Sequence, residues 1–402
     1  MDKICERDVC TGCGLCSNVC PTQAICFKAD EEGFVFPVID DNKCINCARC
    51  YKSCPSNNDM EYVEPRRIIA AWSNNEEIIM HSSSGGAFSS LANIVFRMNG
   101  VVAGVYYDKL TNTLKHGVAM SVEEIDAMRL SKYYQSNTGN IYQRVKKYLS
   151  ERTIVLFTGT ACQVAAMQSC VTEEERKFLI TADILCHGVT NDKVVKAYLK
   201  SKERIHKAKI KDFVFRVKSG SKGWWGGGGA KMRLIFENGD IIDTDNQLDT
   251  YFVGFNNSLF LRECCYNCHY AGINRISDFT LADYWGAEYD DRFDGKRLYS
   301  GISLILVNSQ KGEDLLEGLS HEMTLLEANR NLAIENNRSL VSSYPRNKNR
   351  NKFFEFLNKG KDYDGIIRKL FRKYYILFYM RKLLLKAIGK HNYEKVKRIL
   401  KG

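Results

Sequence analysis

Eight cysteines between residues 10 and 55 fall into two copies of one pattern. Cys10, Cys13, Cys16 and Cys20, followed by Pro21, read C-x2-C-x2-C-x3-C-P, and Cys44, Cys47, Cys50 and Cys54, followed by Pro55, repeat it. Thiolates at this spacing hold 4Fe-4S clusters in pairs, and the fourth cysteine of each run ligates the other cluster. By that rule one cluster takes Cys10, Cys13, Cys16 and Cys54, and the second takes Cys44, Cys47, Cys50 and Cys20. Tetrahedral zinc commonly draws four thiolates from two separated C-x2-C pairs, so a third cysteine at the same spacing, twice over, would have no metal to serve.

Later in the chain Cys265 and Cys268 make a further C-x2-C pair, and Cys162 and Cys186 each stand where a buried strand gives way to a turn. Together they supply four thiolates, enough for a third 4Fe-4S cluster or for a structural zinc. That leaves Cys5, Cys26, Cys170 and Cys264 of the sixteen cysteines without a ligand duty. So many cysteines behind an N-terminus with no apolar run point to metal ligation in a reducing cytoplasm rather than to disulfides. Clusters in this number also suit an anaerobic or microaerobic host. No apolar stretch approaches the roughly 20 residues of a spanning helix.

A different chemistry is offered by HSSSGGAFSSLANIVFRM, His81 to Met98. Three serines and two glycines ahead of an apolar run of helical length set free N–H groups and the positive end of a helix dipole beside a loop of small side chains. Such a loop seats a phosphate or another anion, or serves as a serine-rich helix cap. His81, His187 and Asp283 are the candidate proton donors, although a histidine beside a strand end is more often a hydrogen-bonded structural residue.

The elements that must position these groups read as an α+β or α/β fold. Residues 1–60 hold the two cysteine loops around a short strand, Gly33 to Asp40, and the polar stretch Ser56 to Arg67 reads as a linker. From residue 67 to about 345 short buried strands alternate with helices: IIAAWS, VVAGVYYD, TIVLFTGTACQVAAM and FLITADILCHGV each carry a strand, and the third leads through a tight turn into a helix. KIKDFVFRVKSG and AKMRLIFENGDIIDTD look like antiparallel strands separated by a glycine- and tryptophan-bearing loop, Ser221 to Gly229. Residues 350–402 read as a basic helical tail. Residues 359–402 carry 14 Lys and Arg against three acidic residues, which accounts for the whole formal net charge of +11. A tail of this kind docks on its own protein or on a partner subunit, or lies on an anionic membrane surface. No recognisable nucleic-acid-binding module is present.

The order of motifs resembles that of the family of beta subunits of coenzyme F420 (deazaflavin) hydrogenases and dehydrogenases, with a two-cluster bacterial-type ferredoxin module placed in front. The likeness covers roughly residues 67–310 and rests on SSGG (Ser83 to Gly86), SKYYQS (Ser131 to Ser136), GTACQV (Gly159 to Val164), CHG (Cys186 to Gly188), LRECCYNC and SDFTLADYWG. The family commonly has Pro where Ala161 stands and Gly where Ala282 stands, and Cys264 falls at a non-ligand position. The resemblance implies FAD and a 4Fe-4S cluster on Cys162, Cys186, Cys265 and Cys268. Ser83, Ser84, Gly85 and Gly86 would then meet the flavin phosphates, and Ser131, Lys132, Gln135, Ser136, Gly159 and Thr160 its other polar groups, with Lys132 facing the negative charge of reduced flavin. The resulting expectation is an iron-sulfur flavoprotein oxidoreductase. Reduced ferredoxin, or another redox protein, would feed three clusters and FAD, which deliver electrons to a small-molecule two-electron acceptor. The competing expectation is a non-catalytic electron-transfer subunit of a larger redox complex. An oligomer is compatible with both.

Overall fold

The computed structural model describes residues 3–218 and 230–399, with backbone alone for 385, 386 and 388–399. The loop Ser221 to Gly229 therefore lies outside the described residues. The chain is a mixed α/β structure with an N-terminal ferredoxin-like module and a helical C-terminal region. In the module, β1 (Ile25–Ala29) and β2 (Val35–Ile39) form an antiparallel hairpin between the two cysteine runs. The second of these is the anticipated strand, and the first is its unforeseen partner.

The body is an eight-stranded sheet. Its strands are β3 (Arg67–Ser73), β4 (Val101–Asp108), β5 (Thr113–Ala119), β6 (Val155–Thr160), β7 (Leu179–Ile184), β11 (Phe279–Asp283), β12 (Ser303–Val307) and β13 (Met323–Glu327). They lie in the order 13-3-12-11-7-6-4-5. Strands 4, 6, 7 and 11 run parallel, and antiparallel strands flank them on both sides. Runs such as Val155–Phe157 and Leu304–Val307 are wholly buried, as expected of strands covered on both faces. A separate antiparallel sheet contains β8 (Ile210–Lys218), β9 (Ala230–Phe236) and β10 (Ile241–Asp245).

Helix α1 (Ala87–Arg97) covers one face of the large sheet with Leu91, Ile94 and Val95. Helices α2 (Ile141–Ser150) and α3 (Ala161–Gln168) cover the other with Ile141, Val145, Val164 and Ala165. The carboxyl ends of β6, β7 and β11 deliver Thr160, the Cys186 turn and Asp283 to one edge of the sheet. An open α/β sheet presents its ligand crevice at that edge.

Part of the expected basic helical tail docks on the chain's own core. Helices α6 (Arg350–Asn358) and α7 (Tyr363–Leu370) are part of the core. They bury Phe353, Phe354, Tyr363, Ile366 and Ile367 against Tyr198 of α4 (Asp192–His206) and Tyr251 of α5 (Thr250–Asn256). Arg350 and Asp364 are buried with them, and the other charges of these helices lie on the outer face of an apolar stripe at i, i+3, i+4 spacing. Only α8 (Arg372–Ile399) leaves the body, exposing Ile376, Leu377, Met380, Leu383 and Leu384 beside its basic residues. Among the described residues no helix is long and apolar enough to cross a membrane.

Phe353→Ala should lower unfolding stability by roughly 3–5 kcal/mol in chemical denaturation, the cost of emptying a buried aromatic site. Leu383→Ala, on the exposed face, should change it by no more than about 0.5 kcal/mol.

Candidate functional site

In both cysteine runs the backbone takes left-handed turns at matched positions. They fall at Gly12 and Gly14 in the first run and at Asn46 and Ala48 in the second. Positive φ turns N–H groups toward the sulfurs, and Gly and Asn tolerate it best. The runs exchange their fourth members in space. Cys20 lines one small cavity with Cys44, Cys47 and Cys50. Cys54 lies close enough to Cys13 and Cys16 to raise their thiol pKa values by charge, after burial, which pushes Cys13 up to about 11. Cys5, set aside in the sequence, hydrogen-bonds with Cys10 and Cys54, and through its contact Cys10 falls to about 6.

The first run is docked against the body. Thr138 Oγ1 and Tyr142 Oη both donate to the Cys13 carbonyl, at 2.9 and 2.8 Å. Gln135 Nε2 donates to the carbonyls of Thr11 and Gly12, at 2.9 and 3.1 Å. Arg262 Nε donates to the Cys10 carbonyl at 2.7 Å. Arg350 grips Glu32 with both guanidinium ends, at 2.8 and 2.6 Å.

Cys162, Cys186, Cys265 and Cys268 come from three separate elements: the first turn of α3, the loop after β7, and a 3-10 turn, Glu263–Asn267, with the residue that follows it. All four line a cavity of about 540 Å³ that also touches Val9, Thr11 and Pro55 of the module. The thiol of Cys186 is raised first by burial and then by the proximity of Cys265, Cys162 and Cys268, and Cys162 feels Cys13. Burial also pushes Cys268 up to about 11. Buried thiols held this way become thiolates only with a cation beside them. Among the described residues no three metal-ligating side chains converge on a single-ion site.

A second cavity, of about 820 Å³, adjoins the first. Thr160, Cys162, Cys186 and His187 form a wall common to both. Its size lies in the upper part of the ~300–1,000 Å³ range of cofactor and small-molecule sites. Nine of the ten residues expected to contact flavin line it. Gly85 does not. Its N–H is bonded to Ser303 Oγ at 3.0 Å, and an added Cβ would stand 2.3 Å from the Ala71 carbonyl oxygen, so glycine is required there by packing.

Several of the nine have other work. Ser84 Oγ donates to the Ile302 carbonyl at 2.8 Å. Lys132 Nζ donates to the carbonyls of Met128, Arg129 and Leu130, at 2.9, 2.6 and 3.1 Å, which corrects the picture of a lysine free to face reduced flavin. Gln135 is turned toward the cysteine module, as described above. Ser136 lies between His116 Nδ1 at 3.2 Å and Gln163 Nε2 at 3.0 Å. Ser83 Oγ accepts from the Ser131 N–H at 2.7 Å, which ties the serine loop ahead of α1 to the SKYYQS loop.

Among the candidate acids, His81 is not at the cavity. It is exposed, with Nδ1 3.1 Å from the Glu77 carbonyl of its own turn. Asp283 lines the cavity but is paired with the buried Arg216 at 2.7 Å, which commits its carboxylate. His187 lies on the common wall, with Nε2 3.1 Å from Ser258 Oγ and its ring 3.7 Å from that of Tyr344. Burial pushes it down to about 4. Arg216 and Arg262 escaped sequence reasoning. A lone arginine reads as surface charge, and the only available hint for Arg262 was its place inside LRECCYNC.

Two cysteine runs, the first docked on the body, a third set of cysteines around one cavity and an adjoining cavity at the carboxyl edge of an α/β sheet define an iron-sulfur protein of the electron-transferring oxidoreductase kind. Residues 153–330 match the family described as the C terminus of the beta subunit of coenzyme F420 hydrogenase/dehydrogenase, and residues 9–58 and 36–85 match 4Fe-4S dicluster domains. The chain thus carries a domain matching the C terminus of the coenzyme F420 hydrogenase/dehydrogenase beta subunit behind an N-terminal 4Fe-4S dicluster module.

One relative is the F subunit of the F(420)H(2) dehydrogenase of Methanosarcina mazei, 22% identical over 219 residues, 49% of this chain and 60% of the relative. The chain thus spans about three fifths of that protein's length. An uncharacterized ferredoxin of Methanocaldococcus jannaschii is 35% identical over 68 residues, 17% of this chain and 87% of the relative. A chain of the F420-reducing [NiFe] hydrogenase complex from Methanosarcina barkeri aligns with a TM-score of 0.45 and 15% identity, covering 80% of this chain and 94% of that one, a likeness too distant to carry an inference.

Burial holds His116 down to about 4 from an ordinary 6.5. Between those values the unfolded chain binds the proton and the folded chain does not, so stability falls as pH drops from about 6.5 to about 4 and levels off below. The window is worth about 3 kcal/mol at 1.36 kcal/mol per unit. His116→Gln should remove that part of the slope when denaturation midpoints are compared from pH 7 to pH 4.

Proposed function

We propose that the chain is an iron-sulfur flavoprotein oxidoreductase with three 4Fe-4S clusters and FAD, linking a one-electron donor such as reduced ferredoxin to a small-molecule two-electron acceptor. The observation that carries this reading is the common wall. Two cysteines of the third set, Cys162 and Cys186, face both the thiol-lined cavity and the larger serine- and glycine-lined one. A chain that places metal ligands in the wall of a cofactor-sized cavity joins electron carriers to a second redox group.

The residues present suit those groups. The four half-buried cysteines, with Cys264 beside them, line a cavity rather than meeting at a point, which suits a polynuclear cluster better than a single zinc ion. Gly86, with φ of 95°, opens α1, and its neighbours Ser83 and Ser84 leave small side chains at a helix N-terminus, suited to a phosphate. Ser131, Ser136, Gly159 and Thr160 offer polar or bare surface on the same lining. FAD, when bound, accepts and gives electrons singly or in pairs. The chain's own part is to hold the carriers in fixed order and to exclude water. His187, with Nε2 on Ser258 Oγ, is the candidate to hold a proton at the common wall. The reading divides the chain into a dicluster module at 1–60, a cluster and flavin domain from 67, and a C-terminal region from 350, and places it in the cytoplasm of an anaerobe.

The relative from Methanosarcina mazei is itself named as a subunit, and among the described residues α8 exposes Ile376, Leu377, Met380, Leu383 and Leu384. These two observations favour a second reading, an electron-transfer subunit that delivers electrons to a catalytic partner. Purified protein that reduces an acceptor unaided excludes it. Reduction only through a co-purified subunit would establish it.

Anaerobic quantitation should find about twelve iron, about twelve sulfide and one FAD per chain. Cys162→Ser and Cys265→Ser should each lower the iron to about eight. Eight iron and no flavin in the parent protein would overturn the reading of everything after residue 67.

A further inference from the structure

Arg262 differs from the other deeply buried arginines. Arg275 pairs with Asp183, Arg216 with Asp283 and Arg350 with Glu32. Among the described residues Arg262 forms no ion pair with a carboxylate, although it is only 1% exposed. Nε donates to the Cys10 carbonyl at 2.7 Å, Nη1 to Gln135 Oε1 at 3.2 Å, and Nη2 to the Val35 carbonyl at 3.0 Å and toward Cys10 Sγ at 3.7 Å. The guanidinium also lies over the Phe36 ring, 4.3 Å from its centroid. A buried cation without a counter-charge is costly, so an anion is called for on the face that its partners leave. Among the described residues the one sulfur it hydrogen-bonds, Cys10 Sγ, is a candidate ligand of the first cluster site, and its charge also acts on Cys265 of the third.

The same residue is fixed to the third site through its backbone. Its N–H donates to the Val189 carbonyl at 2.8 Å, and its carbonyl accepts from the Cys265 N–H at 2.9 Å. The approach is close: a Cβ on Gly12 would stand 2.9 Å from the guanidinium carbon and 2.7 Å from Gln135 Nε2. The first loop thus needs glycine at that position for contact as well as for its positive φ of 65°.

Cluster potentials follow net charge, hydrogen bonds to the sulfurs and exposure. Burial disfavours adding an electron to an already anionic cluster, and a fixed cation that donates toward a ligand sulfur offsets it. We propose that Arg262 is a positioning residue that sets the potential of the first cluster, so that the buried junction between the N-terminal module and the Cys162, Cys186, Cys265, Cys268 site accepts electrons. This rests on the cluster assignment proposed above. The cluster gains one electron from the donor on reduction and passes that electron on when it is reoxidised, and no proton or bond change is required.

The test is an anaerobic EPR redox titration of the full chain, with iron counted in every sample. Native protein without clusters would sink the assignment itself rather than this proposal. With clusters present, Arg262→Gln at native iron content should shift one cluster component to more negative potential by more than any other. Arg262→Lys, which keeps the charge, should shift it less. Unchanged potentials in Arg262→Gln at native iron content would overturn the proposal. If Arg262→Gln does not retain iron, Arg262→Lys decides: native iron with a small negative shift supports the proposal, whereas loss of iron, or no shift, shows a merely structural arginine and overturns it.

Discussion

A guanidinium sealed between the Cys10 carbonyl, the Val35 carbonyl and Gln135 fastens the cysteine module to the body. Burying that charge costs several kcal/mol unless its donors are satisfied, so the module cannot turn on the body without exposing an unpaired cation in an apolar setting. Arg350 and Glu32 form a second fastening, and the Cys13 carbonyl, receiving bonds from Thr138 and Tyr142, a third. Because these contacts grip the first loop, the first cysteine set faces inward. The second set faces outward, with Cys47 and Ile45 exposed. The order of the three cysteine groups, surface to interior, follows from this docking.

The sheet makes the interior end of that order rigid. Strands β6 and β7 are paired over six residues, and their carboxyl ends present Thr160 and the Cys186 turn side by side. Thr160 also caps α3 through its capping box with Gln163, and α3 begins at the residue before Cys162. A single strand, turn and helix start therefore place a thiol and the shared cavity wall together. Side chains complete the Cys186 turn, where Ser339 Oγ donates to the Cys186 carbonyl at 3.1 Å.

What could be read in the sequence was what is local. Ligand spacing is a property of eleven consecutive residues or fewer, so the cysteine runs and the C-x2-C pair declared themselves, and strands such as Val101–Asp108 were visible as apolar runs. The grouping of Cys162 and Cys186 with Cys265 was suggested by counting, and the structure places all of them on one cavity. The direction of polar side chains was not legible. Lys132 and Gln135 sit in a loop whose composition suits a ligand, yet one caps main-chain carbonyls and the other reaches the cysteine module. The basic character of residues 350–402 hid the apolar stripe of Phe353, Phe354, Tyr363 and Ile367, because net charge averages over the faces of a helix while burial selects one of them. Arg262 was unreadable for the reason that makes it important: its partners are about 250 and 127 positions away.

The account turns on the first cysteine set lying against the third. Low-temperature EPR of the fully reduced, anaerobic protein measures this directly, since neighbouring paramagnetic clusters broaden and split one another's signals. The structure predicts a spectrum that is not the sum of isolated clusters and that loses one coupling when Cys265 is replaced by Ser. Three independent, uncoupled signals would contradict it.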